Sequence, residues 1–296
     1  MNQNMKTALW AKLALLSVAV IWGSSLVVVK STVNSLPPLF LLAMRFTIAC
    51  VILCIVFYRK LKLITRDYLK CGAVIGLCLF LAYCIQTVGV IFAMPGKSAF
   101  LSSIYCVIVP FLFWAVEKKK PDLYNLAAAV LCIGGIASAS ITSDFSVSKG
   151  DAFALASGFF FAAHIVSVQK FGKGKDPVLI TILQFGYCAA LSWLFSLALE
   201  HSSAVQWTSE ALAGILYLSV LCTGVSLLLQ NVGQKYTDPS SASILLSLES
   251  VFGILFSVIL FHETLNARLM IGFALIFASV LISETKLSFI KTSRIQ

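Results

Sequence analysis

The sequence predicts an all-α integral membrane protein with ten transmembrane helices, built as two inverted five-helix repeats over residues 1–142 and 143–296. Three observations predict this. Hydrophobic residues make up 59% of the chain and charged residues 11%, with a mean hydropathy of +0.96. Soluble domains hold about 45–50% apolar and about 25% charged residues. Long apolar windows recur ten times, and the second half of the chain echoes the first.

The windows fall at 11–30, 37–58, 70–93, 98–116, 123–141, 150–169, 177–199, 210–230, 239–261 and 267–285. Each approaches or exceeds the roughly 20 residues that cross about 30 Å of hydrocarbon as a helix. Backbone polar groups must be paired in lipid, which leaves helices or a closed barrel. The short alternating segments of a barrel are absent. The first window follows Lys6 and Lys12 and contains the small residues Gly23–Ser25, as a signal peptide does, but it runs on to Val29 and nine more windows follow. It reads as a retained helix. Pro37, Pro38, Pro95, Pro121, Pro177 and Pro239 sit at window starts, where a missing N–H costs little. Pro110 alone lies deep in a window, which predicts a kink and a hinge.

The net charge of +10 excludes no partner by itself, but its distribution does. With a cytoplasmic N-terminus, seventeen Lys and Arg fall in inner segments, among them Arg59–Lys70, Lys118–Lys120 and Lys170–Lys175. Four fall outside: Lys30, Lys97, Lys149 and Arg268. This bias puts both termini in the cytoplasm of a plasma (inner) membrane protein. The basic loops are short and lack interleaved aromatics, which argues against nucleic acid. Nine cysteines lie within or at the ends of apolar windows with no metal spacing, so they read as packing residues. No GxxxxGK[ST] loop, HExxH or GxSxG occurs, and no cofactor is implied.

Lys30 and Pro37 are matched by Lys170 and Pro177. QTVGVIFAMPGKSAFL (86–101) runs beside QNVGQKYTDPSSASIL (230–245), aligning Gln86, Val88, Gly89 and Pro95 with Gln230, Val232, Gly233 and Pro239. EKKKPDLYN (117–125) sits opposite HETLNARLM (262–270), with Glu117 against Glu263. Five spans per copy is odd, so the second copy enters the membrane upside down. Inverted repeats are a common build of secondary transporters, with the site near the midplane between the copies.

IWGSS (21–25), MRF (44–46), GKSAFLSSIYCVIVPFL (96–112) and LESVFGILFSVILFHETLNARLMIGFALIFASVLIS (248–283) resemble the EamA-type transporters of the drug/metabolite superfamily. The resemblance implies a central cavity lined by the first, third, fourth, sixth, eighth and ninth helices, without naming one substrate. The family often has proline after the Leu-Glu pair, where this chain has Ser250.

SILLSLESVFGILFSVIL (243–260) holds one ionisable residue, Glu249. An acid at mid-bilayer costs roughly 2.5–3.5 kcal/mol on insertion scales, so it marks a function or a required partner. Glu249 reads as an architectural or gating group, with proton coupling as the sharper alternative. Arg45 is the one base well inside a window; it snorkels outward, reaches a helix-end carbonyl, or binds an anion. Helical spacing groups other polar residues into faces: Trp22 with Ser25, Tyr83 with Gln86, Ser98 with Ser102 and Tyr105, Ser157 with His164, Thr223 with Gln230, and Ser240 with Ser243, Ser247 and Ser250. Trp22, Ser25, Tyr83, Gln86, Ser102, Tyr105, His164, Gln230 and Ser247 are the candidate cavity residues. Membrane helices also use serine as glue. The expected function is a secondary-active or facilitative transporter, chiefly an exporter, of small metabolites such as amino acids or amphipathic and aromatic solutes. The expected partners are a small-molecule substrate, the bilayer and, for coupling, protons; a homodimer is neither indicated nor forbidden. The rival readings are an intramembrane lipid-modifying enzyme using His164 and an uptake carrier for anionic metabolites.

Overall fold

The computed structural model describes residues 3–140, 148–200, 205–262 and 266–285. Glu263, and Lys286, Lys291 and Arg294 among the seventeen inner basic residues, lie outside them. The regular elements among the described residues are all helical: α1 (Gln3–Thr32), α2 (Pro38–Val56), α3 (Arg66–Gly89), α4 (Pro95–Ser102), α5 (Tyr105–Glu117), α6 (Leu123–Ser140), α7 (Lys149–Phe171), α8 (Pro177–Leu199), α9 (Ser209–Tyr217), α10 (Ser226–Lys235), α11 (Pro239–Ser247), α12 (Glu249–Phe261) and α13 (Ala267–Thr285). Short 3₁₀ turns follow α2 and α3. α4 and α5 make one apolar run, as do α11 and α12; a π-helical stretch, Leu218–Val225, joins α9 to α10. Counted as runs, eight helices among the described residues are long and apolar enough to cross a membrane. The expected fifth and tenth spans form α6 and α13, which pack side by side; their apolar stretches, Leu123–Gly135 and Met270–Ser279, are shorter.

Each helix start has a chemical reason. Asp176 and Asp238 accept N–H bonds at the starts of α8 and α11, and a proline follows each. Ser148 and Asp151 form a capping box on α7. α2 has no cap of its own; the Glu200 carboxylate serves it from a distance, accepting the Leu39 and Phe40 N–H groups at 2.7 and 2.8 Å and the Ser196 hydroxyl at 2.8 Å.

The closest packing joins early elements to late ones. α1 packs on α10 and α12, α2 on α8, α3 on α7 and α8, and α4 on α12 and α7. Glycines set two of these crossings. A Cβ on Gly23 of α1 would collide with Phe252, and one on Gly253 would lie 2.7 Å from the Ala99 Cβ, so α1, α12 and α4 meet almost backbone to backbone. Gly72 and Gly76 of α3 do the same against Leu183 and Tyr187 of α8, within the chain.

Two runs lose α geometry midway. At Ser103–Ile104 the ladder tightens, with Ile104 N–H bonding Leu101 O at 3.2 Å. At Leu248 it does so again, with its N–H on Leu245 O at 3.3 Å. Serine hydroxyls bond other carbonyls beside both breaks: Ser102 and Ser103 both donate to Ala99 O, Ser247 to Ile244 O and Ser250 to Ser247 O. Ser250, where relatives of the resembled family have proline, therefore lies beside a helix break without needing one. Pro110 sits inside α5, beyond the Ser103–Ile104 break rather than at it. Lys118 and His262, which end α5 and α12, are the two non-glycine residues with positive φ among those described.

The loop before α8 is pinned at the lysine-rich end. Lys60 pairs with Asp176 at 2.6 Å, and the Asp176 N–H donates to Tyr68 Oη at 3.0 Å. Burial works to raise the Asp176 carboxyl, but bonds from Lys60 and the Val178 N–H outweigh it and hold it below its ordinary value.

Gly23→Ala forces α1 and α12 apart and should lower stability by about 1–3 kcal/mol. Gly134→Ala, whose new methyl meets only Leu275 at 3.7 Å, should be neutral or slightly stabilising. Thermal unfolding midpoints of the purified variants in detergent check the contrast.

Candidate functional site

The two breaks bring Tyr105 and Glu249 to the first turns of α5 and α12. Tyr105 O–H donates to Glu249 Oε1 at 3.2 Å, across 144 residues of sequence. That is the offset at which Gln86 aligns with Gln230, so the pair joins equivalent positions of the repeat seen in the sequence. Both residues are buried. The acid in the apolar run thus has a polar partner.

Beside the pair lies a cavity of about 20 Å³, lined by Trp22, Ser25, Leu26, Tyr83, Gln86, Phe161 and Glu249. It has room for about one water. Five of its seven lining residues are sequence candidates. Tyr105 borders it through Glu249, and Ser102 through Gln86, whose Nε2 donates to Ser102 Oγ at 3.4 Å. Edge-on aromatic contacts build one wall: Phe161 meets Tyr83 at 5.2 Å and Tyr105 at 6.3 Å. Trp22 is fixed by its Nε1–H, which donates to Cys222 O at 2.9 Å within the π-helical stretch.

Arg45 neither snorkels nor caps a helix. It is fully buried, with its guanidinium 4.7 Å from the centre of the Tyr83 ring and Nε–H donating to the Thr223 hydroxyl. Thr223 in turn donates to Leu218 O at 2.8 Å. The ring face and one hydroxyl stabilise the cation, while Nη2 has no partner. Tyr83 therefore faces a base through its ring and the small cavity through its lining.

Other candidates lie elsewhere. His164 Nε2 pairs with Gln184 Oε1 at 2.9 Å, between α7 and α8, rather than with a serine hydroxyl. Gln230 is buried on α10 with Oε1 unpartnered. Ser247 spends its hydroxyl on Ile244 O at 2.7 Å. Sequence reasoning passed over Phe161, since one phenylalanine among 22 carries no mark. It also passed over Asn231 and Gln234, because the apolar window was closed at Gln230; α10 runs on to Lys235.

The two ends of the bundle differ. At one, Lys97 pairs with buried Asp151 at 2.8 Å, and Lys30 donates to Val90 O and Ile91 O at 2.8 and 2.9 Å, tying α1 to the end of α3 and α4 to α7. At the other, a vestibule of about 360 Å³ opens among the ends of α5, α7, α8 and α10. Among the described residues, no group of three His, Cys, Asp or Glu side chains is placed to hold a metal ion.

Apolar helices of this length, gathered round a buried acid, define a multi-pass membrane protein. The chain belongs to the EamA-like transporter family, whose model matches residues 9–141 and again 148–285. It is 33% identical to an uncharacterized transporter of Archaeoglobus fulgidus, over 93% of this chain and 85% of that one. Identity to the uncharacterized transporter YoaV of Bacillus subtilis is 24%, over 89% and 93% of the two chains. A solved crystal structure with no function in its description shares the fold, with a TM-score of 0.70 at 18% identity, covering 92% of this chain and 96% of its own.

Glu249→Gln keeps an acceptor for the Tyr105 hydroxyl and should leave stability nearly unchanged. Glu249→Ala strands that hydroxyl in the core and should cost about 1–3 kcal/mol. Unfolding midpoints of the two variants, with Tyr105→Phe as a third, separate lost pairing from lost charge.

Proposed function

We propose that this protein carries small metabolites across the plasma membrane by alternating access, as a secondary-active or facilitative transporter working chiefly in export. The observation that carries this reading is the contrast between the two ends of the bundle. One end is tied by Lys97–Asp151 and by Lys30. The other opens to a wide vestibule, and a one-water cavity lined by Trp22, Tyr83, Gln86 and Glu249 lies in the centre. Such a centre admits a solute only after it widens, and the breaks at Ser103–Ile104 and Leu248 are where the lining helices can swing. The open end carries Lys118–Lys120, and the excess of basic residues there supports a cytoplasmic location for that end, with both termini on the same side.

The ten-helix, two-repeat architecture, with units 1–142 and 143–296, is part of this proposal. The double match of the family model supports it. So do the Tyr105–Glu249 pair and the left-handed residues Lys118 and His262, which end corresponding helices at the same offset. Glu249 acts as a gate post between the repeats; proton coupling through it is the alternative.

Topology is tested by cysteine labelling in a cysteine-free background. Lys119→Cys should react only with reagent reaching the cytoplasmic face and Arg268→Cys only from outside; the same side for both overturns the inverted repeat. Transport is tested by counterflow in proteoliposomes with amino acids, nucleosides and aromatic cations. Glu249→Gln should keep flux within about threefold, since the Tyr105 bond survives, with its pH profile unchanged. A flattened pH profile instead assigns the coupled proton to this carboxyl.

A further inference from the structure

The vestibule has two chemically distinct zones. Its rim carries Lys119, Lys170, Lys173 and Lys235 against one acid, Glu117. Ion pairs among the described residues engage Lys60, Lys97 and Lys175 and none of these four. Lys170 and Lys235 lie 5.8 Å from the ring centres of Phe171 and Tyr236. A concave rim with an excess of one sign of charge concentrates counter-ions, because low-dielectric walls focus the field.

Asn231 and Gln234 form the buried polar part of the lining, beside buried Val168 and Ile180. Thr181 commits its hydroxyl hydrogen to Pro177 O at 2.7 Å, so toward Asn231 it only accepts, and Nδ2 donates to it at 2.7 Å. Gln234 Nε2 donates to Ile165 O at 3.4 Å, and a carbonyl likewise only accepts. Both amide orientations are therefore fixed by chemistry. What remains is a pair of carbonyl oxygens, Asn231 Oδ1 and Gln234 Oε1, buried and without a partner. Buried acceptors one helical turn apart on α10 call for hydrogen-bond donors.

We infer that this vestibule is a binding site for a small organic anion that also bears a hydroxyl or ammonium group, its carboxylate on the lysine rim and its donor on Asn231 and Gln234. Hydroxy acids and amino acids have this chemistry. The volume of about 360 Å³ falls within the range of small-ligand pockets. The inference deepens the transport reading and rests on it only for what happens to the solute after binding.

Binding of malate, succinate and dimethyl malate to the purified full-length protein in nanodiscs, by equilibrium dialysis, tests the site. Malate has charge and donor, succinate charge alone, and dimethyl malate the donor alone. Malate should bind about tenfold more tightly than either, on the scale of one hydrogen bond or one screened charge, and the advantage over dimethyl malate should fall as salt is raised. Lys119→Gln with Lys173→Gln, both on the exposed rim, should weaken malate about tenfold and leave dimethyl malate alone. Gln234→Leu should abolish the preference for malate over succinate. Equal binding of malate and succinate, indifference of malate to the lysine changes, or no binding of any of the three overturns the inference. Counterflow separates the two readings: binding without flux sinks transport and leaves the site standing, whereas malate flux indifferent to the lysine changes does the reverse.

Discussion

The hydrogen bond from Tyr105 to Glu249 ties the centre of the molecule together. Inside hydrocarbon, a helix that departs from α geometry frees backbone groups, and an acid without a partner is worse. This chain places its one mid-window acid at one of two such departures and Tyr105 at the other, so the acid meets a hydroxyl from the facing helix. The arrangement requires close backbones, which Gly23, Gly253 and Ala99 supply where α1, α4 and α12 cross. Phe161 and Tyr83 then close the space beside the pair, leaving a void of about one water. Remove the close approach and the acid faces lipid or an unfilled gap; remove the acid and a buried hydroxyl is stranded.

Much of the fold was legible because lipid leaves a chain few options. The apolar windows correspond to helices, and the prolines at window starts stand at helix starts, as Pro38, Pro95, Pro177 and Pro239 do. Glu249 stood out by the cost of its position alone. The limits were equally physical. Hydropathy marks α6 and α13, but their shorter apolar stretches do not by themselves reach across a bilayer. The Arg45 environment was not legible, since whether a long basic side chain turns outward or inward depends on a ring, Tyr83, from another helix. The Leu248 break was hidden because serine back-bonding at Ser247 and Ser250 does what proline is usually read for. Asn231 and Gln234 were lost to a threshold: polar residues end a hydropathy window even when the helix continues.

Hydroxyl and amide side chains serve different ends here. Ser102, Ser103, Ser157, Ser192, Ser219, Ser243 and Ser247 all turn back on carbonyls three or four residues earlier. A hydroxyl can satisfy itself within its own helix, so a buried serine says little about function. A primary amide carries two donors and a separate acceptor, which a single carbonyl of its own helix cannot all satisfy. Gln184, Gln230, Asn231 and Gln234 each keep one end unpartnered, on the adjacent helices α8 and α10. Those four mark a strip of the bundle whose hydrogen bonding is incomplete.

That strip gives the difference between the two ends a physical meaning. At the Lys97–Asp151 end, charges of opposite sign are paired within the protein, which leaves little field for a solute and holds helices together. At the vestibule, like charges ring a concavity and buried acceptors await donors. Unpartnered polar atoms occur at both ends, Asp151 Oδ1 and Ser98 Oγ at the tied one and Asn231 Oδ1 and Gln234 Oε1 at the open one, so the unpaired lysine ring is what sets the open end apart. For a carrier that exchanges the two states, opening the tied end requires the Lys97 and Asp151 charges to find water or solute instead of each other. Closing the vestibule requires Lys119, Lys170, Lys173 and Lys235 to approach one another, which costs least when an anion lies among them. On the proposed reading, charge bound at the rim would be part of what permits the change of state, so that the solute's own chemistry would favour its passage.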